Sequence, residues 1–272
     1  MTEIADVGEI QTIASPKLGN SRFLSLLRLE LQSHDRQRVE TGEHEHTIDV
    51  ISGRCTATIT QASGNVVRYG PVGQRGDIFA GTPELVYVPR ESTCEIECLE
   101  GPFEAVIYTA PTDEDADPSY LTAQQVRVIG SGASDWQRRV FIGLEEGGPA
   151  TRMMVGETES PPGNWSGFPP HRHTEDNPPD ELAMEEVYYF QTRPPGGFVI
   201  GVTYQDPARK GKTAELAIYR HGEAFVVPRG YHFIAPCPGY RVRYTWALGG
   251  RHRRFGAWTA DPELAWLNDI TD

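Results

Sequence analysis

The sequence predicts an all-β chain folded as two tandem β-barrels. Three observations carry this. Short alternating or apolar segments bounded by Gly, Pro, Asn or Ser recur at roughly 8–12-residue spacing, as in a sandwich or barrel. No long amphipathic helix pattern interrupts them. The two halves also rhyme. "EHEHTIDVISG" and "PHRHTED…EEVYYF" each set His-x-His ahead of a strand, and "VYVPRESTCEI" and "FVVPRGYHFIA" each close a strand on Val-Pro-Arg.

In the first half, strands are expected at 23–32, 46–53, 55–61, 84–90, 94–100 and 104–110. The acidic, proline-bearing stretch "APTDEDADPSYLTAQQ" (110–125) reads as a connection. Strands resume at 138–144, 151–159, 186–192, 198–205, 215–221, 223–235 and 240–248. The expected division is an N-terminal barrel over 1–112, a linker over 113–135 and a C-terminal barrel over 136–272. The 28 glycines and 21 prolines suit many short elements joined by tight turns.

A net charge of −13 argues against nucleic acid or an anionic membrane surface as partner, since both need concentrated Lys and Arg. The N-terminal "MTEIADVGEIQTIASP" is acidic and lacks an apolar run, and no stretch reaches membrane-spanning length. Cys55, Cys94, Cys98 and Cys237 have no CxxC spacing and read as reduced thiols rather than a disulfide framework. The expectation is a soluble cytoplasmic protein acting on a small molecule, with a homo-oligomer left open.

The chemistry concentrates in the second half. On a strand, residues i and i+2 point to the same side, so His171 and His173 project together. Glu186 opens the following aromatic strand, and His232 follows the Pro-Arg-Gly turn of "VVPRGYH". Three imidazoles and one carboxylate suit one divalent ion (Zn, Mn, Fe, Co or Ni) and leave positions for water or substrate. A lone His-x-His in a polar loop is more often a surface accident. Its conjunction with a strand-opening Glu and a Pro-x-Gly-x-His is not. In the first half His44 and His46 form a pair, but "VYVPREST" lacks a returning histidine and Asp49 is the nearest acid, so this half reads as metal-free.

The wording around these residues resembles a known family. HxH…E followed by PxG…H resembles the two motifs of the cupin superfamily, which makes the expected fold a bicupin of two jelly-roll barrels. "GNWSGFPPHRH", "EEVYYF", "VPRGYH", "PGY" and "DPELAW" are similar, in order, to the bicupin sugar isomerases represented by 5-deoxy-glucuronate isomerase (IolB). The resemblance is densest from Val155 to Trp266 and thinner through "ISG", "FAGTPELVYVPR" and "IYTAP". It implies that His171, His173, Glu186 and His232 bind the metal, with Glu185 a solvated neighbour on the opposite face. It implies an aldose–ketose isomerisation of a sugar acid, 5-deoxy-glucuronate to 5-dehydro-2-deoxy-gluconate, in inositol breakdown.

Strand parity from Glu186 turns Tyr188 inward as a candidate proton relay, and Glu157 in "VGETE" is a second acid/base candidate. Trp165 and Tyr231 are candidates for lining the substrate site; core packing is the competing reading for all four. Arg241 and Arg243 are expected to point outward. Cys237 is a small buried residue with nothing to activate it. The chain departs from the family where Gly201 and Val202 replace a Gln-Arg pair, where Trp246 lies in a stretch that usually carries Asn, and where Glu263-Leu264 replaces Asp-His. These departures keep open a diverged cupin enzyme (another sugar isomerase or a metal-dependent oxygenase) and a non-catalytic sugar-binding cupin. The insertion "TEDNPPDELAME" (174–185) is expected to act as a mobile lid.

Overall fold

The computed structural model describes residues 8–209 and 214–270. The first seven residues, part of the acidic stretch read above for a leader, lie outside the described residues. Regular structure is β throughout, with a few short 3₁₀ turns and, among the described residues, no helix long and apolar enough to cross a membrane.

The first eight strands form one sheet system. They are β1 (Glu9–Ala14), β2 (Ser25–Leu31), β3 (Arg36–Glu40), β4 (His44–Gln61), β5 (Val66–Val72), β6 (Leu85–Val88), β7 (Ser92–Pro111) and β8 (Ser119–Leu121). Their order is β1-β2-β7-β4-β6-β8, with β3 added to β7 and β5 to β4. The next strands are β9 (Arg127–Ser131), β10 (Arg138–Leu144), β11 (Met153–Ser160), β12 (Ser166–Arg172) and β13 (Glu185–Arg193). The chain then runs through β14 (Phe198–Tyr204), β15 (Glu215–Arg220), β16 (Ala224–Val227), β17 (Tyr231–Pro236), β18 (Arg241–Gly249) and β19 (Thr259–Ala260). They make two facing sheets, β16-β13-β18-β11-β10-β9 and β15-β14-β17-β12-β19. The chain is therefore all-β and antiparallel, with one sheet system in the first half and two facing sheets in the second.

Where the sequence implied two strands on either side of Gly53, the structure has one, β4, and likewise β7 runs unbroken from Ser92 to Pro111. Register shifts between Val50 and Cys55 bend β4 so that it pairs first with β6 and then with β5. Gly53 sits at φ +81°, where a Cβ would lie 2.8 Å from the Phe103 Cα, so only glycine fits the bend. The segment read as a linker is structured too. β8 pairs with β6, and β9, still within 113–135, pairs with β10. These edge strands are three and five residues long, too short to carry an apolar alternation for a sequence reading to find.

Strand parity divides the apolar side chains into three layers. Ile48, Val86, Ile96 and Ile107 fill the first barrel, and Tyr188, Phe190, Tyr244 and Leu248 fill the second. A third layer, including Leu26, Tyr87, Val106, Phe141, Val155, Val187 and Tyr189, packs the outer face of one half against the other. Strands such as "VYYF" and "AVIYTA" are thus buried on both faces, which is why they read as continuous apolar runs.

Two carboxylates cross this interface reciprocally. Glu45 accepts from the backbone N–H of Thr151 (2.6 Å), Arg152 (2.8 Å) and Met153 (2.9 Å), and from the Thr151 and Tyr87 hydroxyls. Glu185 accepts from the N–H of Arg22 (2.7 Å), Phe23 (3.1 Å) and Leu24 (2.8 Å). The solvated neighbour expected at position 185 is therefore a buried carboxylate. The parity was right, but the opposite face is covered by the other half. Glu45→Ala, which strands three backbone donors, is expected to cost about 3 kcal/mol or more. Urea unfolding measures it, and a loss under about 1 kcal/mol would show the contact to be replaceable.

Candidate metal centre

β12, β13 and β17 converge on the second barrel's interior. His171 and His173, separated by one residue at the end of β12, turn to the same side. His232 lies directly across from His171 in the β12/β17 register, and Glu186 enters from the facing sheet on β13. One ligand atom from each of the four lies within 4.8 Å of the others. The sequence-predicted set is thus assembled in space.

The ring orientations are dictated by backbone carbonyls, which can only accept. Nδ1–H donates to Pro169 O from His171 (3.1 Å), to Met184 O from His173 (2.6 Å) and to Gly230 O from His232 (3.2 Å). That assignment leaves each Nε2 lone pair aimed inward, the arrangement that orients metal-binding histidines. Glu186 Oε2 lies 3.1 Å from the His173 Nε2 and 3.0 Å from the His232 Nε2. A carboxylate oxygen facing two imidazole lone pairs needs positive charge between them, either a proton or a cation. The donor set therefore fits a divalent ion of the nitrogen- and oxygen-binding kind.

Electrostatics prepares the same state. Burial and the neighbouring His232 and His173 rings push His171 down to about 3, so it is a neutral ligand at neutral pH. Burial alone would raise Glu186, but hydrogen bonds from His173 and His232 hold it well below the usual carboxylate range. Burial likewise opposes protonation of His173, and the Glu186 contact overcomes it and raises that imidazole.

The insertion from 174 to 185 is no free lid. Glu181 is buried and accepts from the N–H of Thr174 (2.8 Å) and Glu175 (3.0 Å) and from the Thr259 hydroxyl (2.6 Å). Met184 N–H donates to His173 O at 2.9 Å while Met184 O receives the His173 Nδ1–H. The insertion thus supplies the carbonyl that orients a ligand.

Two adjoining cavities of about 100 and 220 Å³ meet at Ser131, Arg138, His171 and Trp258. The inner one is walled by Glu186, Tyr188, Tyr244 and Trp246, the outer one by Trp136, Phe168 and Leu267. Tyr188 faces the inner cavity as parity predicted, beside Glu186; burial and that carboxylate's charge raise its phenol well above the ordinary value.

The other sequence candidates lie elsewhere. Glu157 sits on the opposite face of β11, fully buried between the halves, where Arg75 and Arg243 pair with it. Arg243 points away from the barrel interior as expected, yet it is wholly buried there rather than solvated. Arg241 pairs with Glu159. Tyr231 lies on the outer face of β17, stacked on Tyr204 at 5.4 Å, because adjacent strand residues face opposite ways. Trp165, 41% exposed, stacks on Phe233 at 5.2 Å outside the cavities. In the first half, His46 faces the barrel core side of β4 and Asp49 the interface, so that pair does not converge. The cysteines are free and buried.

Against known proteins, the sequence model of the KduI/IolB family matches residues 4–267. The chain belongs to the KduI/IolB family. It is 31% identical over 231 residues to a 5-deoxy-glucuronate isomerase of Geobacillus kaustophilus, covering 85% of this chain and 80% of that one. It is 27% identical to the Bacillus licheniformis protein of the same name, covering 95% and 93%. A crystal structure of an IolB-like protein from Salmonella typhimurium superposes with a TM-score of 0.86 at 24% identity, over 95% of this chain and 94% of that one. Lactobacillus farciminis oxalate decarboxylase superposes at 0.65 with 12% identity, over 93% and 84%, which extends the likeness in fold to the cupins.

The departures of this KduI/IolB member can now be placed. Gly201 faces the barrel interior, where a Cβ would meet Tyr219 at 2.7 Å, and Val202 packs on the outer face with Tyr204 and Tyr231. A side chain at 202 points away from the cavity, so an arginine there is not the missing substrate contact. Trp246 does line the cavity. Its indole donates to Thr158 Oγ1 at 3.1 Å, and Gly156 makes room for it, since a Cβ there would lie 2.5 Å from the ring. Glu263 and Leu264 occupy the turn held by Asp261, ahead of the segment whose Leu267 walls the outer cavity.

Proposed function

We propose that this chain is a metal-dependent aldose–ketose isomerase of a sugar acid, converting 5-deoxy-glucuronate to 5-dehydro-2-deoxy-gluconate. The observation that carries this is the complete three-histidine, one-glutamate set opening on a cavity of about 100 Å³ in a KduI/IolB chain. His171, His173, Glu186 and His232 hold one divalent ion, which supplies a Lewis acid for the substrate's carbonyl and adjacent hydroxyl. The apolar walls at Val140, Trp246, Leu248 and Phe255 exclude water, which strengthens every electrostatic contact inside. Tyr188 keeps its proton and offers an O–H donor beside Glu186, suited to steadying an oxygen as the substrate's proton moves between carbons.

Metal analysis of the purified protein, coupled to turnover of 5-deoxy-glucuronate, tests the reading. Stoichiometric metal with turnover is expected. Metal without turnover would move the protein to another cupin chemistry, and Trp246 in the cavity is the feature that would favour a different substrate. Tyr188→Phe is expected to lower kcat by about 100-fold or more with metal content unchanged. Undiminished kcat would reduce Tyr188 to a packing residue.

A further inference from the structure

One cation in the cavity has, among the described residues, no anionic partner. Arg138 opens β10 on the inward parity it shares with Val140 and Ile142, and it lines both cavities beside His171. Its Nη1–H donates to Trp136 O at 3.0 Å. Among the described residues no carboxylate pairs with it, whereas Arg139, on the other parity, pairs with Glu159. Burial, opposed only by the phenols of Tyr244 and Tyr188, pulls its guanidinium below the ordinary range. Arg138 is half-buried, and a guanidinium turned into a cavity without an anion is unfavourable, while its planar fork matches a carboxylate.

We propose that Arg138 is the carboxylate anchor of the substrate site and sets its preference for sugar acids over neutral sugars. The inference rests on the sugar-acid isomerase reading and deepens it. A sugar acid carries its reacting carbonyl and its carboxylate at opposite ends. The cavities place His171, on the ligand side, and Arg138 along one continuous wall, so the two ends have separate receptors. In a chain of net charge −13, a local cation is also what holds an anionic substrate against the general field. Position 202 on the outer face is not needed for this task.

The test uses D-gluconate and D-glucitol, which differ in one carboxylate and carry no carbonyl to react. Calorimetry on the full-length protein with its native metal should show the wild type binding D-gluconate the tighter. Arg138→Gln should weaken D-gluconate binding about 10- to 100-fold and leave D-glucitol unchanged. KM for 5-deoxy-glucuronate should rise in parallel, with metal content and Tm retained. Arg138→Lys, which keeps the charge but not the fork, should lose part of the preference, and it serves if the glutamine variant does not fold. D-gluconate binding unchanged in either variant, equal losses for both ligands, or a wild type without the preference overturns the proposal. Turnover by the wild type separates this inference from its premise. An Arg138-dependent preference without turnover removes the isomerase reading alone, while turnover with KM unchanged in Arg138→Gln removes the anchor alone.

Discussion

Glu186→Gln is expected to strip the metal and reduce turnover by about 10³-fold or more. The carboxylate is the single anionic ligand candidate in the cluster, and its Oε2 faces two Nε2 lone pairs. A glutamine amide is neutral, and its N–H can donate to His173 or His232, filling the space where the cation would sit. The variant should therefore fold while its metal affinity falls by more than the roughly 10- to 100-fold typical of an outer-shell change. Metal stoichiometry, kcat/KM and Tm on one preparation read all three effects. Full metal occupancy with wild-type turnover would sink the proposed centre.

Glu157→Gln should act on a different property, costing about 3–5 kcal/mol of stability. This carboxylate is buried between the halves with two guanidiniums against it, from Arg75 and from Arg243, whose Nε–H donates at 2.6 Å. Removing its charge leaves Arg75 only the longer carboxylate contact to Asp49 at 3.4 Å, and Arg243 only that to Glu159 at 3.6 Å. Burial alone would raise its carboxyl, but Arg75 and Arg243 hold it below the ordinary value. The stabilisation is therefore complete above the unfolded pKa of about 4.3 and is lost as pH falls through the lower folded value.

Asp49 has the opposite sign. Burial and the charge of Glu157 push it well up, and its Oδ2 meets no donor. Its contribution therefore declines as pH rises from about 3.9 toward its folded value. Asp49→Asn should accordingly cost less than about 1 kcal/mol, or stabilise above neutral pH. Denaturant melts of both variants at pH 5 and pH 8 compare them. Equal losses for Asp49→Asn and Glu157→Gln would mean that the two acids share the charge evenly.

Most of the metal site was legible because it is local. The His-x-His spacing, a glutamate at the start of an aromatic strand and a histidine after a Pro-Arg-Gly turn each declare a side-chain direction through the twofold period of a strand. The same period placed Tyr188 inward and Glu185 and Arg243 outward. It cannot say what covers the outward face, so a solvated Glu185 and an exposed Arg243 are expected where a second core lies, while the Arg241 side chain does stay partly exposed. Arg138 went unremarked because "RRVFIGL" contains two arginines of opposite parity, and nothing local tells the one inside a cavity from the one paired with Glu159.

By itself, then, the sequence determined the all-β class and the inward direction of the four candidate metal-binding side chains, since these follow from alternation and turn chemistry within single segments. Only the tertiary structure decided that the 174–185 insertion is anchored through Glu181 and orients His173, and that Glu157 belongs to a buried ion cluster rather than to catalysis. It alone brought into the cavity beside His171 a guanidinium that no carboxylate among the described residues pairs. Each of these depends on which faces meet across sheets and halves, and sheet pairing joins residues whose separation along the chain leaves no local signature.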